Sequence, residues 1–248
     1  MTEWRVMQLE EHSAYDNMAI DESILEHIRD GKSDPTIRFY RWKPSAVSIG
    51  RFQSMKDEVN LEKCRAEGVD CVRRITGGGA VYHDYEGELT YSIIGKEELF
   101  PKSIWESYRT ICARIIKGLG RLKIDAQFAP INDIVVGGKK ISGNAQTRRE
   151  GVLLQHGTIL YKTDVARMFS LLNVSKEKIS DKMIKSVEER VTSIYSQRGV
   201  SFQELYEAVM YGMTEYRDYR IGITSPSENA RARDLAKVYA SDAWNLSR

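Results

Sequence analysis

The residues able to do chemistry fall in three short segments. The first is RRITGGGAVYHD, from Arg73 to Asp84. Gly77, Gly78 and Gly79 lack a Cβ, so the backbone there can take φ > 0 and approach a ligand closely. Successive N–H groups in such a loop make an anion nest. The spacing matches neither the Walker loop nor the dinucleotide fingerprint, so a plain glycine turn stands beside the nest as a second reading. Arg73 and Arg74 arrive from a strand-like stretch, and neighbouring strand residues face opposite ways. Only one of them can share a site with the loop. The second segment is NDIVVGGKKISGNAQ, from Asn132 to Gln146. Its lysines, Lys139 and Lys140, also face opposite ways, and one of them points inward with Ser142, two residues on. A strand lysine facing a pocket is a point cation suited to carboxylate or phosphate; solvated turn lysines are the alternative. The third segment is QHGTIL, where Gly157 interrupts an apolar strand beside His156 and marks a close approach of backbone or ligand. His156 and His83 otherwise read as hydrogen-bonded structural histidines, His83 through Asp84.

Other chemistries find no support. No two histidines stand at metal-ligand spacing, and no G-x-S-x-G elbow occurs. The three cysteines, Cys64, Cys71 and Cys112, include no C-x-x-C pair, which argues against a disulfide framework or a thiolate zinc site. Cys112 lies on an apolar helical stripe and Cys71 on a core face. A reducing, cytoplasmic setting is expected.

The elements that must position these residues follow from length and pattern. The 248 residues carry 37 basic and 35 acidic side chains, a net charge of +2. Bulk attraction to nucleic acid or membrane is therefore not expected. No signal peptide, membrane-length apolar run, repeat or linker is read, so residues 1–248 are expected to form a single domain. Ser13 caps a predicted helix carrying Met18, Ile24, Leu25 and Ile28, ended by Gly31. TIRFYRW, AVSIGR, VDCVRRI, AVYHD and GELTYSII read as strands. A helix with Ile104, Tyr108, Ile111, Cys112, Ile115 and Leu119 on one face starts near Ser103. The Gly137-Gly138 pair turns a hairpin, and VLLQHGTILY is a further strand. Ser201 and Glu204 form a capping box, and a last helix starts near Ser227. Strands in the first two thirds and helices at the ends predict an α+β or mixed α/β fold rather than regular βαβ alternation.

Together the three segments, in this order, resemble the lipoate–protein ligase A family of the biotin/lipoate ligase superfamily. MAIDESI, RFYRWKPSAVSIGRFQ and the terminal YASDAWN extend the resemblance over nearly the whole chain. It implies a catalytic domain with a largely antiparallel or mixed β-sheet flanked by helices. It also implies an ATP- and Mg2+-dependent ligase that converts lipoate to lipoyl-adenylate. The lipoyl group then passes to a lysine of apo lipoyl domains, such as 2-oxoacid dehydrogenase E2 subunits or the glycine cleavage H protein. Carried over by residue, Lys140 is the catalytic cation. Arg74, Gly77, Gly78, Gly79, Ala80, Val81, Tyr82 and His83 form one wall of the adenylate site. Asn132, Asp133, Ser142, Gly143, Ala145, His156, Gly157 and Thr158 surround Lys140. Leu154 or apolar neighbours line a slot for the acid's tail.

Many family members carry a C-terminal accessory domain. It is absent from these residues, so either this domain works alone or the accessory domain is a separate subunit, and the separate accessory subunit is the expectation. An octanoyltransferase of the same superfamily is the alternative. One branch shares RR-x-TGG, SGNAQTR, LQHG and YASD-x-WN but uses a cysteine just upstream of the lysine motif. FAPINDIVVGGKK holds no cysteine. A biotin ligase fits less well, since its G-R-G-R-x-G-R loop is not what stands at Gly77–Gly79. A non-catalytic binding module would have no use for Lys140.

Overall fold

The computed structural model describes residues 2–162, 164–173 and 189–248. Ser13 caps α1 (Ala14–Arg29) through Oγ, and Gly31 closes it with φ +70°. Around it the strands are β1 (Trp4–His12), β2 (Thr36–Trp42) and β3 (Ala46–Ile49). Two short helices, α2 (Met55–Glu58) and α3 (Leu61–Ala66), lead to β4 (Asp70–Arg73), β5 (Val81–His83) and β6 (Glu88–Lys96). Next come α4 (Ile104–Arg121), β7 (Ala126–Ala129), β8 (Asp133–Val136), β9 (Lys139–Arg149), β10 (Val152–Leu160) and α5 (Val165–Leu171). Beyond them lie helices Ile194–Arg198 and Phe202–Thr214, β11 (Tyr219–Ile221), and helices Pro226–Tyr239 and Asp242–Asn245.

Eight strands form one mixed sheet in the order β11-β1-β2-β6-β10-β9-β8-β7, and β4-β3-β5 form a second, smaller one. β1 runs parallel to β2 and β11; the remaining pairs of the large sheet are antiparallel. On one face, Phe39, Tyr91, Ile93, Leu153 and Ile159 bury against Ile111, Ile115 and Leu119 of α4 and Leu205 and Val209 of Phe202–Thr214. The other face packs Tyr40, Ile94 and Leu154 under α1 and Pro226–Tyr239. The small sheet forms a third apolar cluster with Met55, Cys64 and Leu171. The site lies where the small sheet meets the large one.

Several expectations need adjusting. Ile104 is 60% exposed and leaves the α4 stripe. The last long helix starts at Pro226, because Ser225 and Glu228 make its capping box. Strands β1, β7 and β11 carry no clear alternation and escape the pattern. No helix among the described residues is long and apolar enough to cross a membrane.

Candidate active site

The paired arginines divide their work. At the end of β4, Arg73 turns away from the glycine loop, and its guanidinium binds the carbonyls of Trp244, Asn245, Arg51 and Gln53. Trp244 Nε1 returns a 2.7 Å bond to Arg73 O. Arg74 turns the other way. Its Nη2 donates to Gly77 O (3.0 Å) and Gly79 O (2.7 Å), and its Nη1 to Ser48 Oγ (2.9 Å). Gly78 takes φ +99°, and a Cβ there would lie 2.9 Å from Arg74 Nη2. The triple glycine is thus wrapped around a guanidinium. The N–H groups of Gly77, Gly78, Gly79 and Ala80 have no backbone acceptor among the described residues. All of Arg74's partners are neutral oxygens, and burial pulls its pKa down to about 10. A buried cation so held is short of a counter-charge, and an anionic ligand would supply one.

The hairpin supplies the second cation. Gly137 and Gly138 both have positive φ, as a type I′ turn requires. The register pairs Ile134 with Ser142 but Val135 with Lys140, leaving Ile141 as an extra residue in β9. This bulge overturns the expectation that Lys140 and Ser142 face the same way. Lys140 lies over Gly143 on the cavity side. Ser142 Oγ turns to the α4 side, 3.5 Å from Asn144 Nδ2. Main-chain bonds from Lys140 N to Arg190 O (2.8 Å) and from Thr192 N to Lys140 O (2.9 Å) pin the strand here. The ammonium pairs with Asp133 Oδ1 at 2.7 Å. Asn132 and Asn144 bond each other's main chains and hold the approach to β8.

On β10, His156 Nε2 meets Thr76 Oγ1 at 2.7 Å, tying the glycine segment to the large sheet. Burial lowers the His156 pKa below its ordinary value, against Asp21, whose carboxylate lies 3.7 Å from Nδ1. Burial also opposes the Asp21 charge, but His156, Arg38 and Ser92 hold its pKa below normal. Gly157 makes its close approach to protein rather than ligand: a Cβ there would collide with the Asn144 side chain and Tyr91 on the α4 side. His83 is bonded not to Asp84 but to Ser48 Oγ through Nε2 and to Glu88 Oε1 through Nδ1, each at 2.8 Å. Its ring stacks on Trp42 at 3.9 Å.

These groups line a cavity of about 300 Å3. Arg74, Gly78, Gly79, Ala80, Val81, Tyr82 and His83 contribute from the small-sheet side. Asn132, Lys140, Gly143, Ala145, His156, Gly157 and Thr158 contribute from the large sheet. Three expected residues do not line it. Gly77 gives its carbonyl to Arg74, Asp133 stands behind Lys140, and Ser142 faces away. Leu154 is buried in the core under α1, and Leu160 lines the cavity instead. Ser48, Trp42, Glu88 and Thr90 also line it and were missed. Their signal lay only in the alternation of their strands.

All three cysteines are outside the cavity lining. Cys112 is buried on α4, and burial, with Asp133 nearby, pushes its thiol up to about 12. Among the described residues no three His, Cys, Asp or Glu side chains come together as a metal site.

Residues 13–214 match the family model of the lipoyl protein ligase A/B catalytic domain. The octanoyltransferase LipM of Brevibacillus brevis is 37% identical, with both chains covered completely. Among solved structures, a bi-partite lipoate protein ligase from Thermoplasma acidophilum superposes with TM-score 0.90 at 33% identity, covering 99% of this chain and 97% of its own. A lipoate–protein ligase A bound with ATP superposes with TM-score 0.85 at 31% identity, covering 98% of each chain. The chain therefore belongs to the lipoyl protein ligase A/B catalytic domain family.

Proposed function

We propose that this chain joins lipoate to ATP and passes the lipoyl group to a lysine of a lipoyl domain. The observation that carries this reading is the convergence of Arg74, Lys140 and the glycine-loop amides on one cavity that no cysteine reaches. Carboxylate attack on the α-phosphorus builds negative charge on the phosphate oxygens, and fixed cations and N–H donors stabilise it. The resulting acyl-adenylate is a mixed anhydride, so amine attack on it needs no enzyme thiol. A magnesium ion would accompany the triphosphate. Ala80, Val81, Leu160 and Met168 give the cavity apolar wall for the acid's tail. The ATP-bound ligase of similar fold supports the nucleotide. The bi-partite ligase supports an accessory chain.

The names of the curated relatives favour a second reading, transfer of octanoyl to lipoyl domains without ATP. Both readings end on the same acceptor lysine and differ in the donor. The decisive experiment mixes the protein with an apo lipoyl domain, with and without a candidate accessory chain. One arm holds lipoate, ATP and magnesium; the other holds octanoyl carrier protein alone. Mass gain on the lipoyl domain only in the first arm is expected. Gain in the second arm without ATP makes the protein an octanoyltransferase.

A further inference from the structure

We propose that Ser48 is an acyl acceptor within the cavity, activated by His83 and Glu88. Ser48 Oγ lies 2.8 Å from His83 Nε2, and His83 Nδ1 lies 2.8 Å from Glu88 Oε1. All three side chains are buried, and all three line the cavity. These are the distances of a nucleophile, a base and the group that orients the base.

The surrounding donors fix where the protons sit. Trp42 Nε1 donates to Thr90 Oγ1 (2.8 Å), so Thr90 gives its own hydrogen to Glu88 Oε1 (2.6 Å). Glu88 Oε1 is therefore an acceptor, and His83 Nδ1 donates to it. In the neutral ring Nε2 is then free to accept. Arg74 Nη1 donates to Ser48 Oγ (2.9 Å), which turns the serine hydrogen toward Nε2. The imidazole is thus in the tautomer that takes the proton of Ser48.

The cysteines, Lys140 and Thr76 do not compete. All three cysteines are outside the cavity lining, and Lys140 is paired with Asp133. Thr76, His156 and Asp21 look like a second such set, but the His156–Asp21 distance of 3.7 Å is not a hydrogen bond. Thr76 is also fully buried and does not line the cavity.

The step balances without an added oxidant or reductant. Ser48 Oγ bonds to the acyl carbon of an activated acid. The bond from that carbon to its phosphate, phenolate or thiolate leaving group breaks. The serine proton passes to His83 Nε2 and on to the leaving group. Water or an amine then attacks the acyl carbon of the serine ester and gives its proton to His83 Nε2; the acyl C–Oγ bond breaks, and His83 returns that proton to Ser48 Oγ, releasing the acid or amide. The inference rests on the reading that the cavity holds an activated acyl group, which the ligase and the transferase readings share.

The test gives the full-length protein p-nitrophenyl octanoate without ATP and without a lipoyl domain. A burst of p-nitrophenolate is expected, with one octanoyl group on the protein, mapped by peptide mass spectrometry to Ser48. Ser48→Ala should abolish the adduct, and His83→Ala should slow its formation by about 100-fold. No adduct on the wild-type protein, or an adduct mapped to any other residue, overturns the proposal. That mapping stands even where Ser48→Ala fails to fold. ATP-dependent acylation of a lipoyl domain is measured on the same preparation. If it succeeds and no adduct forms, only the serine inference falls; if it fails while Ser48 is acylated, only the ligase reading falls.

Discussion

Gly143 makes the bed on which Lys140 lies: a Cβ on Gly143 would come within 2.9 Å of both Cε and Nζ of that lysine. The glycine is present for space, since its φ is not among the positive values. Gly143→Ala is therefore compatible with the strand but moves the ammonium. A displacement of about 1 Å at a catalytic group costs on the order of 100-fold in rate. The expected result is acyl transfer reduced by roughly 10- to 100-fold with the Tm nearly unchanged. Wild-type transfer by Gly143→Ala would show that the position of Lys140 does not matter.

Arg73 and Arg74 should separate stability from activity. Arg73 holds the segment around Trp244 and Asn245 against β4 and the turn after β3. Losing these buried charge-assisted bonds in Arg73→Ala should cost about 3 kcal/mol, or about 6–12 °C in Tm. Arg74→Lys keeps a cation but cannot reproduce the planar fork that reaches Ser48, Gly77 and Gly79. It should lose acyl transfer while melting closer to wild type than Arg73→Ala does. Thermal melts and transfer rates on both variants check the division. Equal losses of both properties in both variants would refute it.

The glycine loop and the lysine hairpin were legible because turn chemistry is local. Glycines at Gly77–Gly79 and Gly137–Gly138 announce positive φ or close approach whatever the rest of the chain does. The bulge at Ile141 was not legible, since one unpaired residue in β9 depends on what β8 and the segment after Glu189 offer it. Without it, strict alternation puts Lys140 and Ser142 on one face. Ser48 and Glu88 escaped for a related reason. Ser48 sits in a four-residue strand and Glu88 at the first position of β6, and only pairing of β3 with β5 and the approach of β6 bring them to His83. The edge strands β7 and β11 are short and each has one open side, so neither carries a strong period.

Cys112 sits near the site but should take no part in it. Burial, with Asp133 nearby, pushes its thiol up to about 12, so almost none is thiolate at pH 8. Native protein treated with iodoacetamide at pH 8 should leave Cys112 unmodified by peptide mass spectrometry. Cys112→Ala should transfer acyl groups at close to the wild-type rate. Loss of transfer in a Cys112→Ala protein that keeps its circular dichroism spectrum would demand a thiol step after all.

Glu228 should set the acid limit of the fold. Its carboxylate is fully buried and forms a bidentate pair with Arg5, at 2.7 Å to Nη1 and 2.6 Å to Nη2. Burial alone would raise its pKa. Hydrogen bonds from Arg5, the Ser225 N–H and Ser33 overcome that and hold it at about 2, against 4.5 for a free carboxyl. The folded value is the lower one, so the stabilisation is fully present above the unfolded pKa. It drains away as pH falls through the window from about 4.5 to about 2. The amount is on the order of 3 kcal/mol. The group anchors the N-terminus of helix Pro226–Tyr239 to β1, far from Lys140, so the effect belongs to the fold rather than to the chemistry. Wild-type protein should lose more stability between pH 7 and pH 3 in urea titrations than Glu228→Gln does. Glu228→Gln should already be weaker at pH 7, where it lacks the ion pair. Parallel stability-against-pH curves for the two proteins would remove Glu228 from the acid transition.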